Sequence, residues 1–187
     1  MLYLKTLIAN AEPVLYDGSQ LSPHWLYRRF DLSGDAVVAF EGPADVPLDH
    51  MVDLEDVKKK APIASPLMLH FIGEWFLDSL DQGILLQHLF VDEIYQFLLE
   101  KGASGFRRRG NDIYYRDRKM SVSIATRSAV SVLMHTALNI ETDGTPIPTS
   151  GLKELGLNPW EVARAVLDRF QRNSEIWRAA RVKVLPR

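Results

Sequence analysis

The densest chemistry in the chain lies between Asn111 and Ile140, where Asn111, Asp112, Lys119, Ser121, Ser123, His135 and Asn139 fall on consecutive strand-like segments. A fixed ammonium beside a carboxylate can bind or activate an acid. Hydroxyl, carboxamide and imidazole groups can orient it. Soluble domains seldom put this much polar chemistry where a strand should be apolar, so the stretch is a candidate site. Ile113 to Tyr115 and Met120 to Ala125 alternate with period two, and Arg116-Asp117 between them is a plausible two-residue hairpin loop. That register opposes Tyr115 to Arg118, Tyr114 to Lys119, Ile113 to Met120 and Asp112 to Ser121. It predicts an apolar face of Ile113, Met120, Val122 and Ile124, and a polar face of Asp112, Tyr114, Lys119, Ser121 and Ser123. Asp112 and Lys119 are then diagonal neighbours, about 7–8 Å apart at the backbone. A third strand, Ser131 to Ile140, alternates as well; His135 and Asn139 join the polar face if it packs beside the second. Two readings stay open at this level: a ligand site, or a cross-strand ion pair with a satisfied histidine, where an exposed pair contributes only about 0–1 kcal/mol.

Other clusters carry weaker signals. Asp53, Glu55 and Asp56 could hold a divalent cation through oxygen ligands, but a solvated turn opening a helix explains them as well. Lys58-Lys59-Lys60 reads as a solvated face. Arg107-Arg108-Arg109 stands just before Asn111 and could receive a phosphate or carboxylate, or simply face water. His70 and Glu74, four apart, read as a buried polar pair on one helix face; without a second histidine they are no zinc signature.

Composition bounds the possibilities. The chain has 187 residues, enough for one domain spanning 1–187 with a sizeable core. The net charge of −2 gives little whole-molecule steering towards nucleic acid, so a nucleic-acid partner is not expected. Cysteine is absent, which excludes thiol catalysis, disulfides and thiolate metal sites. No apolar run reaches membrane-span length, so no membrane association is expected. Ala9-Asn10-Ala11 superficially resembles a signal cleavage site, but the preceding residues lack a basic start and a long apolar core. The expectation is a cytoplasmic protein, with a homodimer left open.

The elements predict an α+β fold: a largely antiparallel mixed sheet flanked by helices. Leu2 to Ile8 and Ala36 to Phe40 read as strands, and Gly42 to Val46 as a turn. Ser65-Pro66 reads as the cap and first position of a buried helix over Leu67 to Leu77. A second helix runs from about Ile84 to Lys101 and stops at Gly102, with Leu85, Leu89, Ile94, Phe97 and Leu98 as its core stripe. A third opens at Asn158-Pro159-Trp160-Glu161, with the spacing of a reciprocal cap. Val182 to Leu185 reads as a closing strand.

With these elements in place, the chain resembles the biotin and lipoate protein ligases. Asn111-Asp112-Ile113, Asp117-Arg118-Lys119, Ala137-Leu138-Asn139-Ile140 and Gly151-Leu152-Lys153-Glu154-Leu155-Gly156 match family patterns in the family's order. The helix of Leu85 to Lys101 precedes them and the helix after Asn158 follows, so the likeness spans roughly the C-terminal half. The whole chain also resembles a small prokaryotic family of unknown function grouped with these ligases. That likeness rests on Tyr16-Asp17-Gly18, His24-Trp25, Gly34-Asp35 and Met51 to Asp56. The ligases place a basic glycine-rich loop before the lysine. The nearest match is Arg28 to Ala36, where Arg28, Arg29, Ser33 and Gly34 are retained, two glycines are missing, and Asp35 adds a negative charge. Arg108 falls where biotin ligases carry a lysine facing the ligand.

The resemblance implies a mechanism and a ligand set. A carboxylic acid is activated as a mixed anhydride with AMP, with ATP and magnesium as the implied cofactors, and then passed to an amine. Lys119 would be the cation between carboxylate and α-phosphate. Asp112 would orient the amine or bind the adenylate, and Asn111 would fix the strand turn. Arg28, Arg29, Ser33, Gly34, Arg108, Ser121, Ser123, His135 and Asn139 are the candidate ligand-binding groups, and no metal ligand is assigned. A related branch transfers acyl groups without ATP through a cysteine, which this chain lacks. Three hypotheses follow: a ligase-like or acyl-transferring enzyme for a small carboxylate or nucleotide-bearing substrate, a non-catalytic nucleotide- or cofactor-binding module, and an RNA-associated protein whose affinity would fall with salt.

Overall fold

The computed structural model describes residues 4–60, 63–102, 104–145 and 147–187. Its main sheet has five strands: β1 (Lys5–Ala9), β2 (Ala36–Val46), β3 (Ile63–Trp75), β8 (Val132–Glu141) and β7 (Ser121–Arg127), in that spatial order. Only β1 and β2 run parallel; the other neighbours are antiparallel. A three-stranded sheet of β4 (Phe106–Arg109), β5 (Asp112–Tyr115) and β6 (Arg118–Lys119) adjoins it. Two long helices, α3 (Leu80–Glu100) and α4 (Pro159–Lys183), cover one face, and two short ones, α1 (Trp25–Phe30) and α2 (Leu54–Lys59), complete the chain. The fold is therefore the expected α+β arrangement of a mixed sheet flanked by helices. Of the first strand, Leu2 and Tyr3 lie outside the described residues.

Alternation on the strands builds two cores. Val37, Ala39, Leu69, Phe71, Met134 and Leu138 face α3 and α4, together with Phe90, Ile94, Val166 and Phe170. Ala36, Val38, Phe40 and Ile72 point the other way, against Tyr16 and Leu26. The residues after Ser65-Pro66 are strand β3, where a helix was expected. A central strand covered on both faces is apolar at nearly every position, so its sequence lacks the period that separates strand from buried helix. Gly42 to Val46 is strand as well. The β2–β3 register shifts between Gly42 and Ala44, where Pro43 sits, so a proline that suggests a turn marks a bulge inside a strand.

The helix boundaries follow their caps. The Ser79 side chain accepts from the Gln82 N–H, so α3 begins a turn earlier than expected. Its buried face carries Phe90, Val91, Ile94, Phe97 and Leu98, while Leu85 and Leu89 are 63% and 46% exposed. Leu85 and Ile94 are nine residues apart, which at about 100° per residue puts them on opposite sides of the helix, so the expected stripe splits. Asn158 caps α4 by accepting from the N–H groups of Trp160 and Glu161 at 2.9 and 3.2 Å. Glu161 itself pairs with Lys101. The helix continues to Lys183, and no closing strand forms over Val182 to Leu185.

Residues 14–16 run beside β2 through Val14 N–H to Glu41 O, Tyr16 N–H to Pro43 O and Asp45 N–H to Tyr16 O. That approach needs Gly42, because a Cβ there would sit 1.8 Å from the Val14 carbonyl oxygen. Gly42→Ala is expected to lower unfolding free energy by about 1–3 kcal/mol, read by urea denaturation, because backbone must move to admit the methyl group.

Candidate functional site

The small sheet presents the charged pair. Gly110 and Asn111 turn β4 into β5, and the Asn111 amide donates to Ser123 O at 2.8 Å, tying that turn to β7. Across the Arg116-Asp117 turn, Tyr115 opposes Arg118 and Tyr114 opposes Lys119, the register expected from the sequence. Asp112 and Lys119 are then diagonal, and their side chains form an ion pair of 3.0 Å, each about a quarter exposed (26% and 27%).

Past Lys119 the chain leaves the small sheet for the main one at Met120, whose N–H donates to Ile113 O and whose carbonyl accepts from Asn139 N–H. The crossing resets the alternation. Ile113 and Met120 enter the large core, whereas Val122 opposes Ala137 and Ile124 opposes His135 on the other face of the main sheet. The expected four-residue apolar face is thus divided. Ser121 and Ser123 oppose Leu138 and Thr136 on the helix side. The Ser121 hydroxyl accepts from Ile113 N–H, and that of Ser123 bonds Gln87 and Thr136. Neither hydroxyl shares the face of His135.

Two adjoining cavities open on the face away from α3 and α4. The first, of about 320 Å³, has Tyr16, Asp53, Glu55, Asp56, Lys59, Asn111, Asp112, Lys119, Ser123, Ile124 and His135 in its walls. The second, of about 310 Å³, is more apolar, with Ala64, Met68, Ile147, Ser121, Asn139, Thr145 and Thr149. Asp56, Ile63, Lys119 and Val122 line both, so Lys119 stands at the shared wall. Asn139 anchors the second cavity by donating to Lys119 O and Ser150 O, both at 3.4 Å.

The remaining expected residues are elsewhere. Arg28 and Arg29 are exposed in the last turn of α1, the Ser33 hydroxyl accepts from Lys5, and Gly34 precedes β2. None lines either cavity. Their loop joins the Ala36 end of β2, whereas the first cavity meets the Val46 end, ten positions or roughly 30 Å along the strand. Asp35 is engaged by Arg178 and by the Phe76 N–H. Arg108 lines neither cavity; it pairs with Asp92 at 2.7 Å and donates to His88 O and Gly110 O, bracing the turn that carries Asn111. Asp53 caps α2 by accepting from the N–H groups of Glu55 and Asp56. Among the described residues no group of three or more His, Asp or Glu is arranged to hold a metal ion. His70 and Glu74 share a strand face, not a helix face, and have separate partners. Glu74 accepts from His24 N–H and the Ser131 hydroxyl.

An aromatic stack that no sequence pattern announces lies beneath the first cavity. The Tyr16 ring lies 3.7 Å from that of His135 at 16° between planes, and Phe40 stacks on His70. His70 Nδ1 is 3.0 Å from His135 Nε2, and His70 Nε2 is 3.1 Å from Gly42 O. Burial holds His70 down at about 4. Burial, reinforced by His70, also keeps His135 well below the ordinary histidine range. The Tyr16 phenol is raised by burial and then by Asp17, and so stays protonated. Asp56 is raised first by burial and then by the charge of Asp53, with Lys119 opposing. In the sequence Tyr16 stands 54 positions before His70 and His70 stands 65 before His135, and no spacing rule joins them.

Comparison with known proteins follows the fold. The profile of a domain of unknown function, DUF366, matches residues 5–185. An uncharacterised protein of Methanocaldococcus jannaschii is 32% identical over 148 residues, covering 76% of this chain and 66%, just under two thirds, of the relative. A solved protein of unknown function from Pyrococcus horikoshi superposes with a TM-score of 0.94 at 35% identity, covering 98% of this chain and 99% of that one. Aquifex aeolicus biotin protein ligase matches with a TM-score of 0.58 at 16% identity, over 93% of this chain and 70% of that one. A T. acidophilum protein proposed to be a lipoate protein ligase, solved with lipoic acid bound, gives 0.53 at 14%, over 90% and 84%. These last two likenesses show a shared fold.

The histidine pair sets a pH dependence. Both rings are neutral when folded, whereas an unfolded histidine takes a proton below about 6.5. Stability from His70 is therefore fully present above pH 6.5 and is lost as pH falls towards about 4. The raised carboxyls of Glu41 and Asp56 act in the opposite sense. Wild type is expected to lose up to about 3 kcal/mol across that window, by denaturant unfolding at each pH. His70→Gln, which can still bond Gly42 O, should flatten the curve.

Proposed function

The chain belongs to the DUF366 family, and on that premise we propose that it holds a small carboxylic acid, its carboxylate on the Lys119 ammonium and its apolar tail in the second cavity. The observation that carries this reading is the position of Lys119 on the wall common to both cavities. An ammonium has three N–H donors, and Asp112 takes one, leaving donors for a ligand oxygen. Ile63, Ala64, Met68, Val122 and Ile147 offer an apolar lining for a tail. Biotin and lipoic acid, bound by two proteins of this fold, are of this chemical type.

The residues present do not fit the ATP and magnesium that the ligase resemblance implies. Arg28 and Arg29 line neither cavity, and the walls of the first carry four carboxylates (Asp53, Glu55, Asp56 and Asp112) against two lysines (Lys59 and Lys119). A triphosphate would meet net negative charge. The reading we favour is accordingly a cofactor- or acid-binding module on the ligase fold. Retention of the Asn111, Asp112 and Lys119 arrangement supports a second reading, activation or transfer of the bound acid's acyl group. The arginines of the Arg107 to Arg109 patch are engaged with Asp117, Asp92 and the Tyr114 ring, which lends no support to an RNA-associated role.

A calorimetric series of straight-chain acids tests the proposal. Octanoate should bind more tightly than butyrate by about 3 kcal/mol, from about 0.8 kcal/mol per buried methylene. Lys119→Met should weaken octanoate about tenfold or more, while shifting thermal stability little, because the ion pair is partly exposed. Equal affinity in the variant would remove Lys119 from the site. Pyrophosphate exchange with ATP and octanoate would establish the second reading in place of the first.

A further inference from the structure

The first cavity has a floor whose hydrogen-bonding character is fixed by its hidden partners. Gly42 O can only accept, so His70 Nε2 carries the proton of their 3.1 Å bond. A neutral His70 then offers a bare Nδ1, and His135 must donate to it from Nε2 across 3.0 Å. A neutral His135 with its proton on Nε2 has a bare Nδ1 in turn. Among the described residues that atom has no hydrogen-bond partner, and it is not among their fully enclosed unpartnered atoms, where only Ser150 Oγ stands. His135 is 3% exposed and lines the first cavity, so the Nδ1 lone pair opens into that cavity. A main-chain carbonyl thus dictates, through two imidazoles, that the floor accepts a hydrogen bond.

The walls above it are acidic, and three of their four carboxylates are committed. Asp53 caps α2, Glu55 pairs with Lys59 at 3.2 Å, and Asp112 pairs with Lys119. The Asp56 side chain has no hydrogen bond or ion pair among the described residues, although burial weighs on its charge. The cavity therefore combines an unpartnered carboxylate, a nine-tenths-buried acceptor and an excess of negative charge. A metal ion would need clustered ligands, which the described residues do not supply. A cation with N–H donors and a carbon stem suits dispersed acceptors beside Leu21, Val46 and Tyr16.

We propose that the first cavity binds a small primary ammonium ion, with Asp56 as counter-charge and His135 Nδ1 accepting one of its N–H bonds. The site deepens the preceding reading and takes its biological sense from it, because Lys119 would place the amine beside the acid in the second cavity. Its binding, however, is independent of that reading and can be measured without acid or nucleotide.

The test is calorimetry with 1,4-diaminobutane and its neutral counterpart 1,4-butanediol. The diamine should bind and the diol should not. Asp56→Asn should weaken the diamine about tenfold or more. His135→Gln keeps a polar group at the Nε2 position towards His70 but places none at Nδ1, and should weaken it about tenfold as well. His135→Asn keeps an acceptor near Nδ1 and should retain binding within about threefold. Circular dichroism and thermal unfolding confirm that each variant is folded, and Asp56→Asn, on the short helix, tests the site without touching the stack. Diol binding as tight as diamine, a diamine affinity unchanged in both Asp56→Asn and His135→Gln, no diamine binding to wild type, or magnesium alone competing the diamine away would each overturn the proposal. Octanoate titrated into the wild type keeps the two readings separate: no diamine binding with octanoate binding intact condemns only the amine site, and diamine binding with no octanoate binding condemns only the acid site.

Discussion

β3 is covered by protein on both faces, and the other layers are laid down against it. Leu69 and Phe71 face the core beneath α3 and α4, while Met68, His70 and Ile72 face the other side. Because successive side chains alternate, one strand serves two cores at once. The arrangement requires cover on the second face, and the chain provides it with residues 14–16 laid along β2. That approach depends on the missing side chain of Gly42, whose carbonyl also fixes the His70 tautomer. Packing and the polarity of the first cavity therefore meet at one glycine.

Charge divides the two cavities. The first collects acids from the start of α2 and from β5, and the second is lined mainly by aliphatic and hydroxyl groups. Lys119 belongs to both, and it can do so because β6 ends there: the chain crosses to the main sheet at Met120 and the side-chain alternation restarts. Burial of an ionisable group without a partner is costly, so Asp56 and His135 respond in opposite ways, the carboxyl held towards protonation and the imidazole kept neutral. The neutral imidazole leaves a bare nitrogen for a hydrogen-bond donor.

The relation to the biotin and lipoate ligases lies in the fold, at 14–18% identity. The basic loop that the resemblance implies lines neither cavity. Arg28 and Arg29 end a short helix in solvent, Asp35 is held by Arg178, and the first cavity is acidic. A shared scaffold with altered charge on its walls is how one fold supports different ligands, and the site has to be read from its own residues.

Local signals in the sequence determined a good part of this protein. The hairpin register of β5 and β6, the diagonal Asp112 and Lys119, the alternation of β8, the Asn158 cap and the likeness to the ligases all rest on neighbours within a few positions. Where a property depends on what lies across space, the sequence was silent or misleading. β3 reads as a helix because cover on both faces erases the period of two. The bulge at Pro43 reads as a turn, and the split of Ile113 and Met120 from Val122 and Ile124 depends on a change of sheet that no residue announces. Arg28 and Arg29 match a motif yet lie at the far end of β2 from Lys119. The tautomer of His135 is set by a carbonyl 93 positions away in the chain, through a ring 65 positions away, and hydrogen bonds of that kind exist only once the sheet has brought their partners together.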